Sequence, residues 1–277
     1  MRIDSHQHYW NPDLIQYPWM PPGPGPLRRN FLPKDLEPIL TQNQFDGSVV
    51  VQAAQIPQEA TWLLNLASQH KSILGVVAWV DLQDEGIGKV LDQLQKHPKF
   101  VGVRHLIHDE PDVRWMLKPE VIRGLKELEV RKIPYDLLIR PPHLPYVPEF
   151  LEKLPDLSIV VDHIAKPYIK EGIFDGWAQD MERIAKHQKL FCKVSGMITE
   201  ADPKNWKSEQ LSPYVQHVLK IFGFDRLMFG SDWPVCTLAG SWKEVLAAFT
   251  QALGAQPADE RSKILGETAA KFYGLKI

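Results

Sequence analysis

A (β/α)8 barrel of the TIM type is the α/β fold expected of this chain, and three observations lead to it. Eight short apolar, β-branched runs recur along the 277 residues. Stretches with apolar residues at helical spacing separate most of them. The runs themselves are nearly continuous in hydrophobicity, as strands are when helices cover both faces of a parallel sheet. Eight such units in this length favour a closed barrel over an open doubly wound sheet. No G-x-G-x-x-G follows the first run, which counts against a dinucleotide-binding fold. The whole chain, 1–277, is expected to be one domain.

The expected strands are, in order, MRIDSH (1–6), GSVVVQAA (47–54), ILGVVAWVD (73–81), FVGVRHLI (100–107), IPYDLLI (133–139), LSIVVDHIA (157–165), LFCKVSG (190–196) and RLMFGSD (226–232). The helices expected between them are 57–70, 86–98, 119–132, 150–155, 176–189 and 211–223. SWKEVLAAFTQAL (241–253) reads as the last barrel helix, and ERSKILGETAAKFYGL (260–275) as one further terminal helix. The segment YPWMPPGPGPLRRN (17–30) breaks the rhythm, because its prolines and glycines rule out a helix or a central strand. It follows the first strand and so belongs to the C-terminal face of the barrel. There it is either a surface connection or an active-site wall carrying Trp19, Arg28 and Arg29.

Composition bounds the function class. Hydrophobic residues make up 44% and charged residues 24%, an ordinary globular balance. The formal net charge of -2 gives no electrostatic reason for a nucleic-acid or anionic-membrane partner. Two cysteines, Cys192 and Cys236, make no disulfide framework and fit a reducing, cytoplasmic setting. No basic stretch followed by an apolar run opens the chain, so no signal peptide is expected. No apolar stretch approaches the ~20 residues that span a bilayer.

In such a barrel the chemistry sits at the C-terminal ends of the strands. The expected strand ends carry His6 and His8; Gln52 and Gln55; Trp79 and Asp81; Arg104 and His105; Asp136 and Arg140; Asp162, His163 and Lys166; Lys193 and Ser195; Ser231, Asp232 and Trp233. A purely structural barrel has no reason to repeat charge there. In a strand, residues i and i+2 face the same way, so His6 and His8 project to one side, with Asp4 beside them. Such a pair can bind one metal ion or hold one substrate oxygen from two directions. Plainer readings exist: Asp232 capping a following helix, or Arg104 and Lys193 pairing with buried carboxylates. His70, His97, His187 and His217, on helices or their ends, read as structural.

D-x-H-x-H-x-W at 4–10, VDHIAKP at 161–167 and GSDWP at 230–234 resemble, in this order, the amidohydrolase superfamily. The likeness runs the length of the chain and is narrower to its lactonase branch, which includes L-fucono-1,5-lactonase, L-rhamnono-lactonase and 2-pyrone-4,6-dicarboxylate lactonase. Metal-dependent members typically add a lysine or glutamate after strand four and a histidine after strand five. Arg104, His105 and Asp136 stand there instead, so no binuclear site is expected. The resemblance implies either no required cofactor or one divalent ion, zinc first, on His6, His8 and Asp232, with His163 beside it.

Read as a lactonase, the chain assigns Asp232 as the base that activates water, and His6, His8 and His163 to the oxyanion. Arg104, His105 and Lys166 would meet polar groups or a carboxylate of a small-molecule lactone. Trp79 and Trp233 would offer faces to a sugar-derived ring. The loops 17–30 and 108–118 would set which lactone fits. A metal-dependent decarboxylase or amide hydrolase of the same superfamily is the second reading. A non-catalytic binding barrel is the third, and the intact set His6, His8, His163 and Asp232 weighs against it.

Overall fold

The structure, a computed structural model, describes residues 1–276. Each expected run forms a strand: β1 (Ile3–Gln7), β2 (Gly47–Val51), β3 (Ile73–Ala78), β4 (Phe100–His105), β5 (Tyr135–Leu137), β6 (Ile159–Val161), β7 (Leu190–Val194) and β8 (Leu227–Phe229). They pair in parallel in chain order. Bonds just past the strand ends draw β8 and β1 together: Asp232 N–H donates to the His6 carbonyl at 2.8 Å, and His8 N–H to the Trp233 carbonyl at 2.6 Å. The barrel is therefore closed on the side where the polar residues gather.

The helices are α1 (Pro33–Gln42), α2 (Pro57–Gln69), α3 (Ile87–Leu94), α4 (Pro119–Arg131), α5 (Val147–Lys153), α6 (Trp177–Ala185), the single turn α7 (Met197–Glu200), α8 (Ser208–Phe222), α9 (Trp242–Leu253), α10 (Ala258–Ser262) and α11 (Thr268–Tyr273). Among the described residues none is long and apolar enough to cross a membrane. α1 was not among the expected helices. Two prolines, Pro33 and Pro38, disguise it, yet Pro33 occupies the first turn, where no N–H is needed, and Leu36 and Leu40 bury one face. The expected single terminal helix is divided in two. A π-turn at Lys263–Glu267 separates α10 from α11, and a Cβ at Gly266 would stand 2.7 Å from the Met1 carbonyl oxygen. The absent side chain lets the tail pass under the start of β1.

That passage positions α11. Ala269, Phe272 and Tyr273 close the N-terminal end of the barrel, packing with Ile3, Val49, Val51, Val77, Val160 and Met228. A second and larger apolar cluster fills the layer between strands and helices. Above the apolar floor the lumen turns polar. The Tyr273 hydroxyl donates to Asp136 at 2.8 Å, Lys193 Nζ lies 2.5 Å from Asp136 and 3.1 Å from Asp162, and Arg104 donates to Asp162 at 3.0 Å. All four charged side chains are buried. Together they neutralise one another, which is the condition for keeping charge out of water.

Candidate active site

Four strand ends place the central residues. His6 lies within β1 and His8 just after it; His163 follows β6; Asp232 follows β8. Asp232 Oδ1 stands 3.3 Å from His8 Nε2 and 3.9 Å from His6 Nε2. The rings of His6 and His163 lie 4.4 Å apart, those of His6 and His8 5.0 Å. His8, His163 and Asp232 line the floor of a cavity of about 230 Å³, also bordered by Arg104, Lys166, His108, Asp109, Trp10 and Trp19, and His6 is buried directly behind them.

The local backbone is bent to make this convergence. His163, Ile164, Ala165 and Lys166 are four successive residues with φ between 47° and 60°, and Asp232 has φ 58°. Side chains with a Cβ resist this region, at roughly 1–2 kcal/mol per residue. Strain of this kind persists only where surrounding packing imposes it, and it concentrates at functional sites. Two glycines clear the space. A Cβ on Gly196, at φ +63°, would lie 2.7 Å from His163 Nδ1, and one on Gly230 would lie 2.6 Å from the His6 Cβ.

Hydrogen bonds hold the three rings in place. His8 Nδ1 faces the Val51 carbonyl at 2.7 Å. A carbonyl only accepts, so Nδ1 carries a proton and donates it there, while Nε2 is turned toward Asp232. Arg104 Nη1 stands 3.2 Å from His6 Nε2, and a guanidinium only donates, so that nitrogen carries a lone pair. His6 Nδ1 lies between Lys193 Nζ at 3.1 Å and Asp162 at 3.3 Å. His163 Nδ1 meets the Ser195 hydroxyl at 2.8 Å.

Burial, together with Lys193 and Arg104, pushes His6 well below the ordinary histidine range, against the pull of Asp162. Burial does the same to His163. Burial acts to raise Asp232, but His163, His8 and Lys166 more than offset it, and the carboxyl sits below its usual range. Asp162 stays well below as well, because Lys193, His6 and Arg104 outweigh its burial. The centre thus sets an ionised carboxylate beside the neutral imidazoles of His6 and His163.

His6, His8 and Asp232 can bring one ligand atom each to within 4.8 Å of one another. Two imidazole lone pairs and a carboxylate oxygen, all buried, are a donor set that fits one divalent ion with coordination positions left open. The Val51 carbonyl behind His8 is the outer partner that such ligands carry. His6, Asp162 and His163 form a second such group, but Asp162 is already paired with Arg104 at 3.0 Å and Lys193 at 3.1 Å, so a further cation there would meet like charge.

Other expected residues take different places. Lys166 lines the cavity and pairs with Glu200. His105 stands behind the wall: its Nδ1 accepts from the Trp79 indole at 3.1 Å, its Nε2 faces Glu110 at 2.7 Å, and its ring stacks on Trp115. Trp233 packs between Tyr9 and Phe31. None of Trp79, His105 and Trp233 lines the cavity.

Asp4 does not share the side of His6 and His8. Its carboxylate accepts from Ser231 N and Oγ and from the Trp242 indole, toward the helical layer. The register of β1 against β2 shifts between Asp4 and Gln7, and that irregularity breaks the simple alternation. From the loop 17–30, Trp19 reaches the cavity, whereas Arg28 lies in a separate surface pocket and Arg29 rests on Phe31. His108 and Asp109 also line the cavity, whereas the sequence points only to their loop, 108–118, as a whole. A loop has no period from which a side chain's direction can be read.

The amidohydrolase family model matches residues 3–275. An L-fucono-1,5-lactonase from Burkholderia ambifaria is 36% identical over 279 residues, 98% of this chain and 95% of the relative. The crystal structure of an amidohydrolase from Burkholderia multivorans with bound zinc superposes with a TM-score of 0.94 at 34% identity, over 100% of both chains. A 2,6-dihydroxybenzoate decarboxylase from Rhizobium, 15% identical with a TM-score of 0.70 over 99% of this chain and 98% of the other, shares the fold. With the histidine pair, the strand-six histidine and the strand-eight aspartate assembled at one end of a parallel barrel, the chain belongs to the amidohydrolase family.

Proposed function

We propose that this chain is a lactonase that opens a sugar-derived lactone to its acid by attack of an activated water. The observation that carries the reading is Asp232, an ionised carboxylate 3.3 Å from His8 Nε2, on the floor of a small cavity flanked by Arg104 and Lys166. The 36% identity to an L-fucono-1,5-lactonase over nearly the whole chain supports the substrate class. The small, partly polar cavity suits a single ring. Both cysteines are buried and free, which suits a reducing cytoplasmic compartment.

Lactone hydrolysis needs a base, charge stabilisation at the carbonyl and an oriented ring. Asp232 takes the proton of the attacking water, a role worth about 10²–10⁴-fold. His163, with Nδ1 held by Ser195, directs Nε2 to the carbonyl oxygen. Lys166 has N–H groups beyond the one on Glu200, and Arg104 adds positive charge. Donors so placed are worth ~3–4 kcal/mol each in other hydrolases. His6 Nε2 and His8 Nε2 both turn toward Asp232, which suits these rings to hold an ion beside it rather than to meet the carbonyl themselves. A divalent ion on His6, His8 and Asp232, zinc being the first choice given the zinc-bound relative, would polarise the carbonyl and acidify water. His108, Asp109 and Trp19 border the rest of the ring, and the Trp79–His105 pair braces the wall that carries Arg104.

The test is acid release from a panel of sugar lactones, paired with elemental analysis of the purified protein. Turnover is expected, and Asp232→Asn should lower kcat by about 10²–10⁴ with an unchanged circular dichroism spectrum. Full activity in that variant would overturn the assignment.

A further inference from the structure

A second cavity of about 590 Å³ lies beside the catalytic one, and the two share Trp19, Ala53, Leu106 and Asp109 as a common wall. Their linings differ in chemistry. The catalytic cavity is bordered by Arg104, Lys166, Asp232 and three histidines. The second presents Ile15, Ile56, Ala54 and the amides of Gln16, Gln55 and Gln58, with Asp109 as its one charged lining residue. Gln55 Oε1 accepts from Leu106 N at 2.9 Å, which turns its amide N–H groups to other partners. An aromatic face, apolar side chains and uncharged amides are the chemistry that meets a neutral, hydroxyl-bearing ring.

Of the four shared residues, Leu106 follows directly on β4 and Ala53 comes two residues after β2, and the barrel fixes both. Trp19 comes from the proline-rich loop, and its indole is the largest piece of the wall. It is pinned there: Nε1–H donates to the Ala53 carbonyl at 2.8 Å, and the ring meets Trp10 edge to face at 5.2 Å. It is still 36% exposed. The catalytic cavity alone, at about 230 Å³, is below the ~300–1,000 Å³ usual for drug-sized ligands.

We infer that Trp19 determines substrate length: it confines the enzyme to single-ring lactones and closes off an adjoining site that would take a second, neutral sugar ring. This inference rests on the lactone reading and deepens it. Removing the indole joins the two cavities without touching Asp232, the histidines or Lys166.

The experiment compares kcat/KM for the best single-ring aldonolactone of the panel with that for the same lactone bearing a glycosyl unit on a ring hydroxyl. In Trp19→Ala the two-ring to single-ring ratio should rise by at least ~100-fold over wild type, the upper range of what pocket shape achieves. Trp19→Phe, which keeps an aromatic ring against Trp10, should fall between and serves if the alanine variant folds poorly. Adding Ile56→Trp to Trp19→Ala refills the second cavity and should return the ratio toward wild type. Ile56→Trp alone should leave single-ring turnover unchanged. The inference is overturned if wild type already hydrolyses both lactones equally, or if Trp19→Ala slows both in proportion. Wild-type enzyme that opens no single-ring lactone would overturn the lactone reading itself, and this inference with it.

Discussion

At the scale of single residues, the site depends on positions where an ordinary side chain is unwelcome. Gly196 is the clearest: its positive φ and its closeness to His163 Nδ1 both exclude a Cβ. Gly196→Ala should cost about 1–3 kcal/mol of stability from the backbone alone, read as a lowered urea midpoint. It should also displace His163 and lower kcat more than KM changes; a variant with wild-type kcat would show that His163 needs no such clearance. The four successive left-handed residues at 163–166 make the same point from the other direction. Packing holds a conformation there that local preference opposes, so that His163 and Lys166 both reach the cavity. The motif VDHIAKP announced that residues of interest lay there, but not how the chain would turn to present them.

At the scale of elements, the loop after β2 and the start of α2 support the wall that carries Trp19. Glu59, in the first turn of α2, accepts from Ala53 N at 3.0 Å and Ala54 N at 2.8 Å, while its Oε1 is buried without a partner. Burial pushes its pKa from 4.5 up to about 8. The folded state therefore keeps a proton that the unfolded chain releases. The associated stability is complete below the unfolded pKa and is lost as pH rises toward the folded one. Stability should decline between pH 4.5 and about 8, and Glu59→Gln should flatten that decline while keeping the two accepted bonds. Urea midpoints across the range check it; an unchanged slope would show that Glu59 is not its source. None of this is written in PQEATW as a sequence, where Glu59 looks like an ordinary acidic residue at a helix start.

At the scale of the molecule, the barrel is an apolar floor beneath a polar column beneath a catalytic rim. Phe272, on α11, belongs to the floor. Phe272→Ala should destabilise the whole protein by about 3–5 kcal/mol, seen as a lowered urea midpoint; a loss under 1 kcal/mol would mean the barrel closes without its plug. Local order along the chain was enough for the strand count, the parallel barrel and the gathering of His6, His8, His163 and Asp232 at one rim. Strands buried on both faces leave continuous apolar runs, and polar residues at the ends of such runs have one place to go. Contacts between distant segments decided the rest. They turned Asp4 outward through a register shift, set His105 and Trp79 behind the wall, brought Tyr273 under Asp136 across 137 positions, and stood Trp19 between two cavities. A period of two or 3.6 residues reports which face a side chain takes within its own element. It carries no information about which other element will be waiting there.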